Sequence, residues 1–200
     1  MSLLEHDKIV INQKAKLIEL TNEYQIRDVD GNDIGVIRQE GQSTLKKVAR
    51  FVSSLDQFMT HKLGAYDADG SKVLELVRPR KIVKSTVEVY DGTGALAGTI
   101  RQQNVFGKIR FGLHDAADAK IGEIRAENWR AWNFSIVDVT GAEVARITKT
   151  WEGLAKTLFT TADDYLLDVS PTLLGTLRLL VFASAVGVDT ALKQDQRGLG

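Results

Sequence analysis

Alternating apolar and polar residues recur in five copies of one 16-residue unit. Residues 24–39 (YQIRDVDGNDIGVIRQ) and 87–102 (VEVYDGTGALAGTIRQ) align without a gap, and the same frame fits residues 63–78, 111–126 and 134–149. An alternation of period two places one face of a strand in the core and the other in solvent. The pattern on both sides of a central turn therefore predicts strand, tight turn, strand in each unit.

The turn residues are the most regular part of the unit. Asp fills the fifth place every time, at Asp28, Asp67, Asp91, Asp115 and Asp138. Gly fills the eighth place in four units and is replaced by Asp118 in the other. An Asp side chain can bond its own turn, and Gly accepts a positive φ angle. Ile or Leu fills the fourteenth place, at Ile37, Leu76, Ile100, Ile124 and Ile147.

Strand counting predicts the fold class. Five hairpins supply ten strands, and residues 9–20 (IVINQKAKLIEL) and 165–169 (YLLDV) bring the total to about twelve. So many strands in 200 residues favour a closed barrel or a sandwich, since closure removes exposed edges. We predict a mainly β protein, and the turn spacing by itself leaves both architectures open.

Two segments break the strand pattern. Residues 44–60 carry apolar residues at helical spacing, with Lys and Arg elsewhere around the wheel, which predicts an amphipathic helix. Residues 172–194 predict an apolar helix whose ten-residue apolar run, 179–188, is too short to span a bilayer. Extending it includes Arg178 and Asp189, each costly at depth. The pattern favours a helix buried in protein over a membrane anchor.

Composition narrows the functional classes. Lys and Arg total 26, as do Asp and Glu, so there is no overall positive charge to attract nucleic acid, and we predict no nucleic-acid partner. There is no cysteine, which removes disulfides and thiolate chemistry. The first residues lack the apolar run of a secretory signal, so we expect a cytoplasmic protein.

Three patterns that suggest a binding or catalytic site lack residues that such a site requires. An EF-hand-like start at Asp28 has Asp33 where the loop needs Gly, and the same turn recurs in four other units. The glycines at 92, 94 and 98 lead into a strand and not into the helix that dinucleotide binding requires. The three histidines, His6, His61 and His114, form no ligand pair. We predict no catalytic residues, no metal site and no cofactor.

Basic residues cluster in the connectors between hairpins. These are Lys46, Lys47 and Arg50, then Arg78, Arg80, Lys81 and Lys84, then Lys108 and Arg110. A solvated surface accounts for such clusters. An anionic lipid surface accounts for them too, because each Lys or Arg near the headgroups adds about 1 kcal/mol. An amphipathic helix flanked by Lys and Arg suits the same interface.

Three stretches resemble the phospholipid scramblase family. Residues 149–169 (KTWEGLAKTLFTTADDYLLDV) are similar to the end of those proteins, and residues 9–40 resemble their opening, with a Lys-rich strand and then a Gly turn. The Arg78-Pro79 pair after a strand is a further match. The resemblance runs in order along nearly the whole chain. It extends to the LURP-one-related and tubby-like proteins and implies their fold, a twelve-stranded barrel around a hydrophobic C-terminal helix.

The resemblance also implies functional expectations. Scramblases are associated with calcium-dependent lipid movement, and tubby-like proteins bind phosphoinositide headgroups. The first and last Asp of the scramblase calcium segment correspond here to Thr161 and Thr172, so two hard oxygen ligands are missing. Asp163, Asp164 and Asp168 remain. The cysteine cluster that is palmitoylated in many members has no counterpart, which removes that anchor.

Together these observations predict one domain over residues 1–200 that is not an enzyme. We expect it to be cytoplasmic or peripheral at the inner face of the membrane and to associate with anionic phospholipid headgroups. The lipid contacts are predicted at Lys46, Lys47, Arg50, Arg78, Arg80, Lys81, Lys108 and Arg110. Two alternatives stay open. One is a structural or protein-interaction module on the same fold, and the other is true phospholipid translocation between leaflets.

Overall fold

The computed structural model describes residues 2–12, 23–40, 61–79, 85–104, 107–127, 133–148 and 164–197. A short 3-10 helix, Leu3–Glu5, comes before the strands. The described residues form twelve strands and one α-helix. The strands are β1 (Lys8–Asn12), β2 (Glu23–Arg27), β3 (Asp33–Glu40), β4 (His61–Asp67), β5 (Lys72–Arg78), β6 (Thr86–Asp91), β7 (Leu96–Gln102), β8 (Arg110–Asp115), β9 (Lys120–Ala126), β10 (Phe134–Asp138), β11 (Glu143–Thr148) and β12 (Asp164–Val169), and the helix is α1 (Gly175–Arg197).

The strands close into a barrel in which every strand is antiparallel to its neighbours along the chain. The first and last strands complete the circle, with register pairs from Lys8–Asp168 to Asn12–Asp164. The predicted barrel is confirmed, and the sandwich is excluded. The register between β1 and β2 is the shortest in the barrel, with three residue pairs between described residues. Closure leaves no free strand edge, which protects the barrel from edge-to-edge association.

All five predicted hairpins are present and share one turn geometry. The Asp at the fifth place accepts the backbone N–H of the Gly place three residues later through its own carbonyl oxygen, as in Gly94 to Asp91 at 3.0 Å. A register shift follows the third place of every unit, so each hairpin carries the same bulge. The glycines at the eighth place have φ between 86° and 88°, and Asp118 adopts φ 68° in their stead. Asp tolerates this left-handed conformation better than most residues.

Inward-facing residues of the repeat build the core. The fourteenth place is 3 % exposed or less in every unit, as the alternation predicts. The third place points inward as well, at Ile26, Ala65, Val89, Leu113 and Ile136, which are all buried. These residues form one cluster together with the apolar side chains of α1. The barrel wall and the helix therefore share a single hydrophobic core.

Helix α1 lies inside the barrel. Residues 178–187 are all buried, and ten consecutive helical residues point to every side of the helix axis. At Gly122 in β9 the helix approaches the wall closely, because a Cβ there would lie 3.0 Å from Leu177 Cδ1. The prediction of a helix buried in protein is confirmed. Among the described residues, no helix combines the length and the hydropathy needed to cross a bilayer.

The boundaries of the two terminal elements differ from those predicted. Helix α1 begins at Gly175 and not at residue 172, and it ends at Arg197. Residues 170–173 form a turn instead, in which Leu173 donates its N–H to Ser170 O at 3.0 Å. The opening strand is Lys8–Asn12, and the rest of the predicted stretch to residue 20 lies outside the described residues. The predicted amphipathic helix at 44–60 also lies outside them.

Candidate functional site: the connector end of the barrel

The up-and-down topology sorts the loops onto two ends of the barrel. The five hairpin turns lie at one end, which we name the turn end. Strands β3, β5 and β7 run away from it and finish at Glu40, Arg78 and Gln102, at what we name the connector end. Every basic segment singled out in the sequence follows one of these three strand ends. The topology therefore attaches all three basic connectors to the same end of the barrel.

The structure describes three of the eight predicted lipid-contacting residues. Lys108 and Arg110 are exposed, whereas Arg78, the last residue of β5, is buried and only 9 % exposed. Of the described three, Lys108 and Arg110 are thus the ones that present their charge to solvent. The other five lie outside the described residues: Lys46, Lys47, Arg50, Arg80 and Lys81.

The loop that carries Lys108 is held by one side chain. Asn104 donates from Nδ2 to the carbonyl of Lys108 at 2.8 Å and accepts the backbone N–H of Arg110 on Oδ1 at 2.8 Å. Gly107 permits the sharp reversal between them with φ 89°. Gln103 N also donates to Arg110 O at 2.8 Å. These bonds fix the backbone of Lys108 and Arg110, so the exposed lysine is carried on a held segment.

Two arginines face each other at this end. Arg110 in β8 pairs in register with Arg125 in β9, and their side chains are 57 % and 48 % exposed. Like charges directly opposite each other on neighbouring strands destabilise a sheet. Glu123 offsets part of this repulsion. Its Oε1 accepts from Arg125 Nε at 3.0 Å and lies 3.9 Å from Arg110 Nη1, which is too long for a hydrogen bond.

Among the described residues, Glu123 is the carboxylate that pairs with these two arginines. Its other oxygen accepts from Lys120 Nζ at 2.6 Å. Burial by itself would raise the pKa of Glu123, but the hydrogen bonds from Lys120 and Arg125 prevail and hold that pKa below its ordinary value. Glu123 therefore stays ionised at neutral pH. One negative charge is shared among three cations, and Lys108 adds a fourth nearby on the chain, so the cluster remains positive.

Arg125 is the residue that the sequence analysis missed. It stands inside a strand of the repeat, at the fifteenth place, and not in a connector. The repeat could have indicated this residue. The bulged hairpin pairs the fifteenth place of each unit with the residue just before the unit, as in Thr86–Arg101 and Glu23–Arg38. In the fourth unit both of those places are Arg.

Asp164, Asp168 and Thr172, the described residues of the expected calcium segment, are spread along β12 and the turn after it. Asp168 pairs with Lys8, with Oδ2 2.9 Å from Nζ, and it lies four residues along β12 from Asp164, about 13 Å in an extended strand. Thr172 Oγ1 lies 2.9 Å from Ser170 Oγ. Thr161 and Asp163 lie outside the described residues. The described part of the chain holds no cluster of His, Asp and Glu suited to a metal ion.

Paired guanidinium groups with an adjacent lysine suit an anion with several oxygens. Arg presents its N–H groups in a planar fork that matches carboxylate or phosphate, and charge-assisted bonds of this kind are about twice as strong as neutral ones. A phosphate between Arg110 and Arg125 would also relieve the repulsion that Glu123 only partly offsets. The arrangement therefore offers the donors that a phosphate at the surface requires.

Comparison with known proteins identifies the family. The Scramblase family model matches residues 1–192. No curated protein and no solved structure matches the chain. The match covers all twelve strands and most of α1, so the family's sequence pattern extends over the whole barrel and its central helix. The chain belongs to the Scramblase family.

Proposed function

We propose that this chain is a non-enzymatic, scramblase-like protein that associates with anionic phospholipid at the connector end of its barrel. The observation that carries the proposal is the exposed Arg110–Arg125 pair beside Lys108, with one carboxylate to balance them. Membership of the Scramblase family supports a lipid as the source of the phosphate. The whole chain would act as one domain, cytoplasmic or peripheral at the inner face of the membrane.

The remaining predicted residues enter the same proposal. Lys46, Lys47 and Arg50 follow β3 in the sequence, Arg80 and Lys81 follow β5, and both strands finish at the connector end. Arg78 would act by positioning, since its side chain is buried at the end of β5. At about 1 kcal/mol for each basic residue near anionic headgroups, several together give useful affinity that salt weakens.

Flotation with liposomes tests the proposal. We expect the protein to float with vesicles that contain phosphatidylserine or phosphatidylglycerol at low salt, and to remain behind with vesicles of phosphatidylcholine alone. The double variant Arg110→Gln/Arg125→Gln should lose much of the binding. Its matched control, Lys8→Gln/Arg27→Gln, removes the same charge at the turn end and should bind normally. Absence of binding to anionic vesicles at low salt would overturn the proposal.

A protein-interaction module is the second candidate, and one observation favours it. Among the described residues the exposed large apolar side chains are Leu96, Val139 and Leu174. All three lie at the turn end, away from the basic connectors. The flotation experiment separates the two functions, because a partner bound at the turn end would not respond to the Arg110→Gln/Arg125→Gln double variant.

A further inference from the structure

The second repeat unit uses its turn Asp differently from the others. In four units the carboxylate of the fifth place accepts N–H groups of its own turn, as Asp91 does from Thr93 and Ala95 at 2.9 and 3.0 Å. The others that do so are Asp28, Asp115 and Asp138. Asp67 instead accepts the N–H of Leu3 at 2.7 Å, and Asp69 takes over the turn by accepting from Ser71 at 2.8 Å. One turn of the repeat is thus adapted to hold the N-terminal segment.

Leu3 is buried against a glycine of the barrel wall. Its side chain is 2 % exposed and belongs to the core cluster. It lies over Gly35 of β3, where a Cβ atom would approach Leu3 Cδ1 to 2.9 Å. Glu5 Oε2 accepts the N–H of Ser2 at 2.8 Å, which closes the short 3-10 turn on itself. Residues 2–7, which we name the N-terminal clasp, therefore cover the turn end of the barrel next to β3 and β4.

The clasp also grips the central helix through Arg178. Its side chain is 9 % exposed, and each of its five N–H donors has an acceptor. Nε donates to Leu4 O, Nη1 to Ser170 O and Leu173 O, and Nη2 to His6 O and to Asp7 Oδ1. Three of the five acceptors belong to the clasp. The other two belong to the turn that leads from β12 into α1.

Because Arg178 is a buried cation, it stays in place only while the clasp supplies its hydrogen-bond acceptors. An arginine taken out of water is costly unless its donors are satisfied, and removing its partners destabilises the site strongly. If the clasp left, Arg178 would keep two acceptors and would gain by moving toward water. Arg178 lies in the first turn of α1, so a movement of its side chain toward water would displace the start of the helix. An apolar residue in place of Arg178 would not make the position of the helix depend on the clasp.

The clasp has further contacts with the barrel. Leu4 packs against the core, and Val169 N donates to Asp7 O at 2.7 Å. Residues 2–7 precede β1 and take no part in the strand register that closes the barrel. A segment of this kind can open locally at a lower free energy than the whole fold, so the clasp can leave while the register stays closed.

We propose that residues 2–7 are a releasable latch that holds α1 in the barrel through Arg178, with Asp67 as its receptor on the wall. While the latch is seated, the helix is locked at the turn end. Release unlocks the apolar helix without unfolding the barrel wall. The latch is a conformational switch that couples the first residues of the chain to its last helix, and it does not depend on lipid binding at the opposite end.

Hydrogen exchange followed by mass spectrometry on the full chain tests the latch without lipid. The variant Asp67→Ala removes the receptor, and Asp91→Ala is its matched control at the same place of the repeat. We expect Asp67→Ala to speed exchange at residues 179–187 about tenfold while strands β8 and β9 change by less than about twofold. Asp91→Ala should affect its own hairpin and leave the helix unchanged.

Arg178→Lys provides a second variant on the helix side. Lysine has three donors in place of five and lacks the planar fork, so it should reproduce the selective exchange of α1. If that variant does not fold, Asp67→Ala alone decides. Equal exchange of α1 in Asp67→Ala and Asp91→Ala would overturn the latch. So would an equal rise over helix and strands, since that is the signature of global destabilisation.

Discussion

Asp7 and Arg178 lie on opposite ends of the chain and meet at the turn end of the barrel, with Asp7 Oδ1 3.0 Å from Arg178 Nη2. The carboxylate side chain is 44 % exposed, whereas that of the arginine is 9 % exposed. The guanidinium also lies 5.7 Å from the Phe182 ring centroid, one turn further along α1. The pair thus joins a solvated anion to a buried cation, and the two partners contribute differently to stability.

Replacing either partner measures this asymmetry. Arg178→Met should lower the free energy of unfolding by about 3–5 kcal/mol, because several carbonyl oxygens lose their donor at about 1–3 kcal/mol each where they are buried. Asp7→Asn should cost only about 1–2 kcal/mol, because water replaces the lost charge at a half-exposed site. Urea titrations that compare midpoints at a constant slope provide the measurement. Equal losses for the two variants would contradict the assignment of Arg178 as the central residue of the clasp.

The eighth place of the repeat provides a conformational test. Gly141 has φ 87° and no atom near its missing Cβ, so Gly141→Ala should destabilise the protein by about 1–2 kcal/mol through backbone strain alone. Asp118→Gly relieves the same strain but removes the ion pair of Asp118 with Arg101 at 2.6 Å. That pair is exposed and worth at most about 1 kcal/mol, so the net change should be small. Thermal unfolding of both variants distinguishes these effects.

The aspartates of the hairpin turns should make the stability of the protein sensitive to acid. The hydroxyl of Thr93 holds the pKa of Asp91 below its ordinary value, and Thr140 does the same to the pKa of Asp138. A carboxyl whose pKa is lowered by folding contributes stability above its unfolded pKa, near 3.8 here, and that contribution is lost as the pH falls through the folded pKa. We expect stability to decline below about pH 4.

The double variant Thr93→Val/Thr140→Val is the control for that pH dependence. It keeps both carboxylates but removes the hydroxyl donors that lower their pKa values. Its stability should fall less steeply between about pH 4 and pH 2 than that of the unmodified protein. Chemical denaturation at several pH values gives the two curves, and coincident slopes would count against the turn carboxylates as the source.

Gly122 tests the contact between the helix and the barrel wall. A Cβ at this position would lie 3.0 Å from Leu177 Cδ1 and 2.8 Å from Val137 O. Gly122→Ala should destabilise the protein by about 1–3 kcal/mol through overpacking. Adding Leu177→Ala should recover part of the loss, since it removes the flexible neighbour and leaves the carbonyl. A double-mutant cycle measures this coupling, and strict additivity would show that the helix does not touch the wall there.

Glu123 provides a gain-of-function test of the proposed lipid site. Glu123→Gln removes the carboxylate that, among the described residues, pairs with Lys120, Arg110 and Arg125, and should strengthen binding to anionic vesicles by about 1 kcal/mol. More salt should then be needed to release the protein in the flotation assay. The same change should lower stability at neutral pH, because folding lowers the pKa of Glu123. Unchanged salt dependence would place the lipid contact away from this cluster.

The repeat made much of the fold predictable, because its information is local. A turn Asp, a Gly that accepts positive φ and alternating apolar residues act within 16 residues, so the hairpins and the inward-facing Ile37, Ile124 and Ile147 followed from the sequence. This local pattern did not decide closure, because it left a barrel and a sandwich open, and the pairing of β1 with β12 closes the sheet. Lys108 and Arg110 were likewise visible as charges in a connector.

Only the tertiary structure decided which distant residues meet. The register of Arg125 with Arg110 adds Arg125 to the candidate site. In the sequence Arg178 only interrupts an apolar run, whereas in the structure its side chain has five hydrogen-bond acceptors. Asp67 looks like its four counterparts in sequence but holds Leu3. Local chemistry determines which turn forms, whereas contacts between residues far apart along the chain depend on how the closed barrel brings its two ends together.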